Sequence, residues 1–211
     1  MICETPSSET VIAPELWICA PSRALTVVPG DERIDHERID AASGALRALG
    51  WSVKEAANVR QVDKSFAGTD AQRAAGFEEA MCAPQADLVL ALRGGSGTAR
   101  ILDRINWDRV GASHAVFMGL SDLTAINLAL YAKCGKASWQ GPVAAAFSIP
   151  DETRVEFFMR AMSRPLFEEK LVAQGEAIEA EGVLWGGNLS VLTSLIGTPY
   201  FPVSYTHLRA H

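Results

Sequence analysis

Few side chains in this sequence stand where they could do covalent chemistry, and Ser121 is foremost among them. It lies in "AVFMGLSDLTAINLAL" (residues 115–130), where an apolar strand-like run meets a helix-like one. Gly119 sits two residues before it and Asp122 directly after. A tight strand-to-helix turn can hold a serine up as a nucleophile, as in the G-x-S-x-G elbow of α/β hydrolases. Here the first glycine is kept and Leu123 takes the place of the second. Ser followed by Asp at a helix start is also what an N-cap looks like. The nucleophile reading gains a partner from the helix itself. Its first N–H groups are unpaired, so the Asp122 amide could stabilise the oxyanion of a tetrahedral intermediate.

A second stretch, "RGGSGTAR" (residues 93–100), follows an apolar strand-like run. As a nucleotide loop it is poor. Gly95-x-Gly97-x-x-Arg100 lacks the third glycine of a dinucleotide fingerprint, and no G-K-[ST] follows. Two readings remain: a tight turn, or a wall of glycine amides facing Ser121, where the lack of a Cβ lets a ligand approach. Four cysteines (Cys3, Cys19, Cys82, Cys134) are widely spaced, with no C-x-x-C and no His at metal-ligand spacing. They read as reduced thiols, not as a metal site. His36 in an acidic helix turn and His114 just before a strand read as surface residues rather than general bases.

The elements that must position these residues alternate. "ELWICAPS" is a short strand stopped at Pro21. "DERIDHERIDAASGALRALGW" is a helix with Ile39, Ala42, Leu46 and Leu49 on one face and Gly50 as its stop. "WSVKEA" is a strand. "GTDAQRAAGFEEAMCAP" is a helix capped at Thr69 or Asp70, with Ala74, Phe77 and Met81 inward. "ADLVLALRGG" is a buried strand and "GTARILDRINWD" a short helix with Ile101, Leu102 and Ile105 inward. "HAVFMGL" is a strand and "SDLTAINLALYAKCG" a helix closed by Lys133 and Gly135. Strands alternating with helices predict α/β architecture, a parallel sheet covered on both faces. Ligands of such sheets bind beyond the carboxyl ends of the strands, where "APSRAL", "RGGSGTAR" and "GLSD" all fall.

Residues 1–14 read as a disordered leader without the basic and apolar regions of a signal peptide. After residue 150, "PDETRVEFFMRAMS" is an amphipathic helix with Val155, Phe158 and Met162 on one side. The texture then changes, so residues 15–165 read as an N-terminal domain and 166–202 as the start of an incomplete second domain. In "NLSVLTSLIG", Leu189, Leu192 and Leu195 form an apolar stripe expected to lack a cover. With 48% apolar and 21% charged residues, the 211-residue chain can bury a sizeable core. A formal net charge of −6 without basic runs argues against nucleic acid and anionic membrane as partners. No apolar run approaches the ~20 residues of a membrane helix, so a cytoplasmic protein is expected.

Several stretches together resemble the LD-carboxypeptidases, serine peptidases that include murein tetrapeptide carboxypeptidases and microcin C immunity peptidases. They are "LALRGGSGTARILDRINWD", "FMGLSDLTAINLALYAKCG", "WQGPVAA" and "GVLWGGNLSVLTSLIGTPYFP", with "WICAPSRAL" and "FAGTDAQRAAGFEEA" before them. The resemblance runs in order over about residues 16 to 202. It implies a Rossmann-like N-terminal domain, a C-terminal domain of different fold, and a homodimer. It also implies release of terminal D-alanine from an L,D-linked murein tetrapeptide, in peptidoglycan recycling. Ser121 would be the nucleophile. The Asp122 amide with Gly94 and Gly95 would form the oxyanion hole and substrate wall. No metal or organic cofactor is implied. Two alternatives stay open: a microcin C-type immunity peptidase, and a non-catalytic α/β ligand-binding module in which Ser121 only caps its helix.

Two departures from the family pattern stand out. Where the family has an aromatic residue inside R-G-G-x-G, commonly Tyr, this chain has Ser96. The family's triad is Ser-Glu-His, and its Glu and His follow the segment matching "GTPYFP". The residues after Pro202, "VSYTHLRAH" (203–211), do not resemble the family and read as a non-native tail, so His207 is not taken as the base. The expectation is a chain nearly inactive as written, because a serine hydroxyl without its base and orienting carboxylate is a poor nucleophile.

Overall fold

The computed structural model describes residues 13–163 and 182–202. Four strands, β1 (Glu15–Cys19), β2 (Ser52–Glu55), β3 (Ala86–Ala91) and β4 (Val116–Met118), form one sheet in the order β2-β1-β3-β4. Every pairing is parallel. The apolar runs of β1 and β3 explain their central places: Leu16, Ile18, Val89 and Leu90 are fully buried. Such runs suit strands covered on both faces. The chain steps from β1 outward to β2 and then crosses back to β3, so the strand order reverses between β1 and β3. The loops that leave these two strands flank the crevice where parallel sheets take their ligands.

The helices alternate with the strands as the sequence predicts. Helix α1 (His36–Ala48) starts at Asp35, whose carboxylate accepts the Arg38 N–H. It buries Ile39, Ala42 and Leu46, and the chain turns away at Gly50 with φ of 95°. Helix α2 (Asp70–Met81) opens on a reciprocal Thr69–Gln72 capping box and buries Ala74, Phe77 and Met81. The Phe77 ring meets Phe117 of β4 edge-on at 5.5 Å between centroids. Helix α3 (Trp107–Ala112), α4 (Thr124–Cys134) and α5 (Glu152–Met162) complete the layers, with α6 (Leu189–Ser194) against α4. Gly135 at φ of 64° ends α4. Beyond β4, the Trp139 N–H donates to Phe117 O (2.9 Å) and Gly119 N–H donates to Trp139 O (3.1 Å), which prolongs the sheet edge.

Two sequence expectations are corrected. "GTARILDRINWD" is not one α-helix but a 3₁₀ segment, Thr98–Arg104, that stops where Ile105 turns extended. Asn106 then caps the separate α3, its side chain accepting the Arg109 N–H. Ile101, Leu102 and Ile105 are buried nonetheless. The stripe on α6 is also not bare. Leu195 is buried and Leu192 packs against the main core, while Leu189 alone of the three is 73% exposed. Trp185 and Phe201 stack edge-on at 5.4 Å, and Tyr200 lies over Trp107 with its hydroxyl donating to Asp103 Oδ1 (2.5 Å). Residues 182–202 are thus sewn onto α3 and α4. The boundary near residue 165, most of the leader and the 203–211 tail lie outside the described residues. Among the described residues no helix is long and apolar enough to cross a membrane.

Candidate functional site

Ser121 sits where β4 has ended and a 3₁₀ turn, Ser121–Leu123, leads into α4. Its φ is 64°, in the left-handed region that a residue with a Cβ avoids. The residue before it, Leu120, is extended, so the chain reverses sharply at the serine. Gly119 is required beneath the turn: a Cβ there would lie 2.8 Å from Leu123 Cβ. Leu123, which replaces the second glycine of the hydrolase elbow, is fully buried over that glycine. The tight turn therefore forms with one glycine rather than two.

The capping role is absent. Five of the six described α-helices have a side chain accepting an N-terminal N–H: Asp35, Thr69, Asn106, Asp151 and Asn188. Neither α4 nor the 3₁₀ turn before it has a side-chain cap, and Ser121 Oγ makes no hydrogen bond among the described residues. The Asp122 N–H likewise has no backbone acceptor among them. An uncommitted hydroxyl thus stands beside an uncommitted amide at the start of a helix.

The glycine loop faces this corner. A Cβ added to Gly94 would fall 3.2 Å from Ser121 Cβ and 3.5 Å from Ser121 Oγ. Gly95, at φ of 147°, leaves room for the Arg23 stem, whose Cγ would be 2.7 Å from an added Cβ. Arg23 Nε donates to Ser96 Oγ (3.1 Å), so the serine that departs from the family pattern is tied to the loop after β1.

The sequence marks Asp122 only through its backbone amide, yet its carboxylate is the knot of the site. It is buried, and its Oδ2 accepts from Ser22 Oγ (2.7 Å), Thr98 N–H (3.0 Å) and Thr98 Oγ1 (2.5 Å). One oxygen therefore joins the loops that leave β1, β3 and β4. A second strut is Arg73 on α2, wholly buried, which donates to Pro21 O (2.6 Å) and Gly97 O (3.0 Å) and pairs with Asp70. The Arg73 and Arg100 guanidinium groups both approach the Phe66 ring, at 4.8 and 5.2 Å from its centre. Gly97 is needed because a Cβ would strike that ring at 2.6 Å. Burial lowers the Arg73 guanidinium from its ordinary range, while Asp70 opposes the shift.

The "LWGGN" stretch meets the start of α4. Thr124 Oγ1 accepts the Asn188 N–H (2.9 Å), and Gln140 Nε2 donates to Gly186 O (3.2 Å). Beside this junction opens a cavity of about 790 Å³ lined by Asn127, Tyr131, Trp139, Leu184 and Trp185. It lies along α4 rather than at the Ser121 hydroxyl.

The two described histidines stand apart from Ser121. His114 precedes β4, at the opposite end of that strand. His36 contacts Arg60 Nη1 at 3.1 Å, and Arg60 in turn pairs with Glu55 at the end of β2. Strands β2 and β4 are three places apart in the sheet, roughly 14 Å at the usual spacing. Among the described residues no group of three His, Cys, Asp or Glu could hold a metal ion. Cys19, Cys82 and Cys134 are free thiols, and burial raises Cys19 far above the ordinary thiol range.

Residues 17–141 match the profile of the LD-carboxypeptidase N-terminal domain. A Bacillus subtilis (strain 168) protein named "Probable murein peptide carboxypeptidase" is 31% identical over 175 residues, 79% of this chain and 54% of its own length. The crystal structure of muramoyltetrapeptide carboxypeptidase from Oxalobacter formigenes superposes with a TM-score of 0.77 at 28% identity, over 90% of this chain and 62% of that one. An MccF-like protein from Bacillus anthracis gives a TM-score of 0.77 at 23% identity, over 90% of this chain and 64% of that one, a likeness of fold alone. The chain thus spans a little over half to under two thirds of each of these proteins.

Proposed function

The chain belongs to the LD-carboxypeptidase family, and from that premise we propose that it is the nucleophile-bearing part of a serine carboxypeptidase. Its reaction is the release of terminal D-alanine from L,D-linked murein tetrapeptides, in cytoplasmic peptidoglycan recycling. One observation carries the reading: Ser121 is held at φ of 64°, does not cap its helix, and faces Gly94. A residue that only began a helix would have no reason to bear that strain.

In this mechanism Ser121 Oγ attacks the carbonyl carbon of the scissile amide and its proton passes to a general base. The carbonyl oxygen takes the negative charge within reach of the Asp122 amide and the Gly94–Gly95 backbone. Collapse breaks the C–N bond, the departing D-alanine nitrogen takes up the proton, and the acyl group stays on Ser121 until water removes it. The base and its orienting carboxylate are the His and Glu that the family resemblance implies. Neither His36 nor His114 serves, so the described residues alone sustain only the residual rate left when triad members are missing.

The test is D-alanine release from an L,D-tetrapeptide by the full-length gene product and by its Ser121→Ala variant. The expected loss is about a thousandfold or more, with unchanged circular dichroism. Equal rates in the two proteins would remove Ser121 from the chemistry.

A further inference from the structure

Three arginines gather on the same sheet edge with no acid among the described residues to neutralise them. Arg93 follows β3 directly; its Nε donates to Gly94 O (3.1 Å) and its Nη1 to Ala24 O (3.2 Å), which places it beside the loop carrying Arg23. Arg23 lies along Gly95 and bonds Ser96 through Nε. Arg38 donates to Ser148 Oγ (3.1 Å), and that hydroxyl donates to Ala145 O (2.7 Å), next to Leu92. All three side chains are half-buried, and none forms an ion pair among the described residues. Burial first, then the like charges of Arg23 and Arg38, lower the Arg93 guanidinium; no carboxylate among the described residues contributes. In a chain of net charge −6 this is an unusual surplus. Arg73, which is fully buried, has its Asp70.

We propose that Arg23 and Arg93 form the clamp for the free C-terminal carboxylate of the peptide substrate. This rests on the carboxypeptidase reading of the site. The reach fits. Gly94 faces Ser121, and Gly95, one Cα step of about 3.8 Å further, carries the Arg23 stem against it. In a substrate whose scissile carbonyl is at Ser121, only an N and a Cα separate that carbon from the terminal carboxylate. An anion there answers the unpaired cationic charge, and two guanidinium groups suit the geometry of a carboxylate. The clamp would also explain an exopeptidase: a chain continuing past the last residue has no carboxylate to offer at that point. Arg23 keeps Nη1 and Nη2 free of partners among the described residues, and Arg93 keeps Nη2.

The experiment separates the clamp from catalysis by measuring binding. The 211-residue chain is titrated calorimetrically with a peptide ending in an L-residue–D-alanine pair, as the free acid and as the C-terminal amide. The free acid should bind about 10–100-fold more tightly, and that preference should shrink with added salt. Arg23→Gln and Arg93→Gln should each lower the preference, and the double variant should abolish it while amide affinity and circular dichroism stay unchanged. Arg23→Lys should restore part of it. Equal affinity for acid and amide, no binding of either, or a preference that survives the double variant would overturn the clamp. A full-length product that keeps the preference but releases no D-alanine would instead overturn the peptidase reading and leave the clamp standing.

Discussion

Replacing Ser121 by glycine separates the cost of the corner from its chemistry. At φ of 64° a residue with a Cβ is held about 1–2 kcal/mol above its preferred backbone. Glycine is free of that penalty but loses about 0.5–1 kcal/mol more chain entropy on folding. The Ser121 hydroxyl forms no hydrogen bond among the described residues, so its removal forfeits nothing on that side. The middle of these ranges leaves Ser121→Gly more stable by about 0.75 kcal/mol, a rise of about 1.5–3 °C in Tm for a domain of this size. Ser121→Ala keeps the Cβ and with it the strain, so its Tm should stay within about 1 °C of the wild type. Both variants should lose D-alanine release in the full-length product. Differential scanning calorimetry on the three proteins reads the first effect and a coupled D-alanine assay the second. A glycine variant that melts no higher than the wild type, or an alanine variant that gains as much, would refute the strain argument.

Asp122→Ala leaves the Thr98 N–H and two hydroxyls without their common acceptor in a buried site, and only the hydroxyls can turn elsewhere. A loss of about 2–4 kcal/mol in urea unfolding is expected, and a loss under about 1 kcal/mol would show that the three loops do not depend on the carboxylate. Tyr200 provides a pH prediction. Burial, then its hydrogen bond to Asp103, push the phenol up to about 12 from an ordinary 10.0. The folded state thus holds this proton more tightly than the unfolded one. The stability contributed is complete below pH 10 and is lost as pH rises through 12. Tyr200→Phe should flatten that part of the stability–pH curve, and an identical slope in the two proteins would remove Tyr200 as its source.

The alternation of apolar strands and amphipathic helices was legible because burial of a parallel sheet leaves long local signals. The place of Ser121 was legible too, since a glycine two residues before a serine at a strand end records a backbone turn. Its conformation was not, because Leu123 stands where a second glycine would have marked the elbow. The sequence marks Asp122 through its amide alone. Its carboxylate meets Ser22 across 100 residues of chain, and no local pattern records such a partner. Nothing local in "DAQRAAGFEEAM" marks Arg73 for burial, because its partners are two carbonyls supplied by loops far away in sequence. The 3₁₀ form of 98–104 leaves no mark in the sequence for a related reason, since Ile101, Leu102 and Ile105 satisfy either helix on hydrophobic spacing.

Strain at Ser121 persists only if its neighbours cannot relax it, and both sides are fixed. On the strand side, Gly119 N–H donates to Trp139 O, and Gly119 O accepts from Asn127 Nδ2 (3.0 Å). On the helix side, the Asp122 carboxylate is held by Ser22 and Thr98, and Leu123 is buried over Gly119. If Ser121 shifted toward an N-cap conformation, the chain would have to rotate at Asp122 and break the knot that joins three loops. The hydroxyl is therefore denied the local bond that Asp35, Thr69, Asn106, Asp151 and Asn188 each make at their own helices. The same buried oxygen that gathers the loops after β1 and β3 also keeps the serine between them uncommitted. That coupling makes a testable distinction: in Asp122→Ala the strain should be released, and adding Ser121→Gly should then gain less stability than it does in the wild type. A gain of the same size in both backgrounds would show that the corner is strained on its own account, independently of the carboxylate behind it.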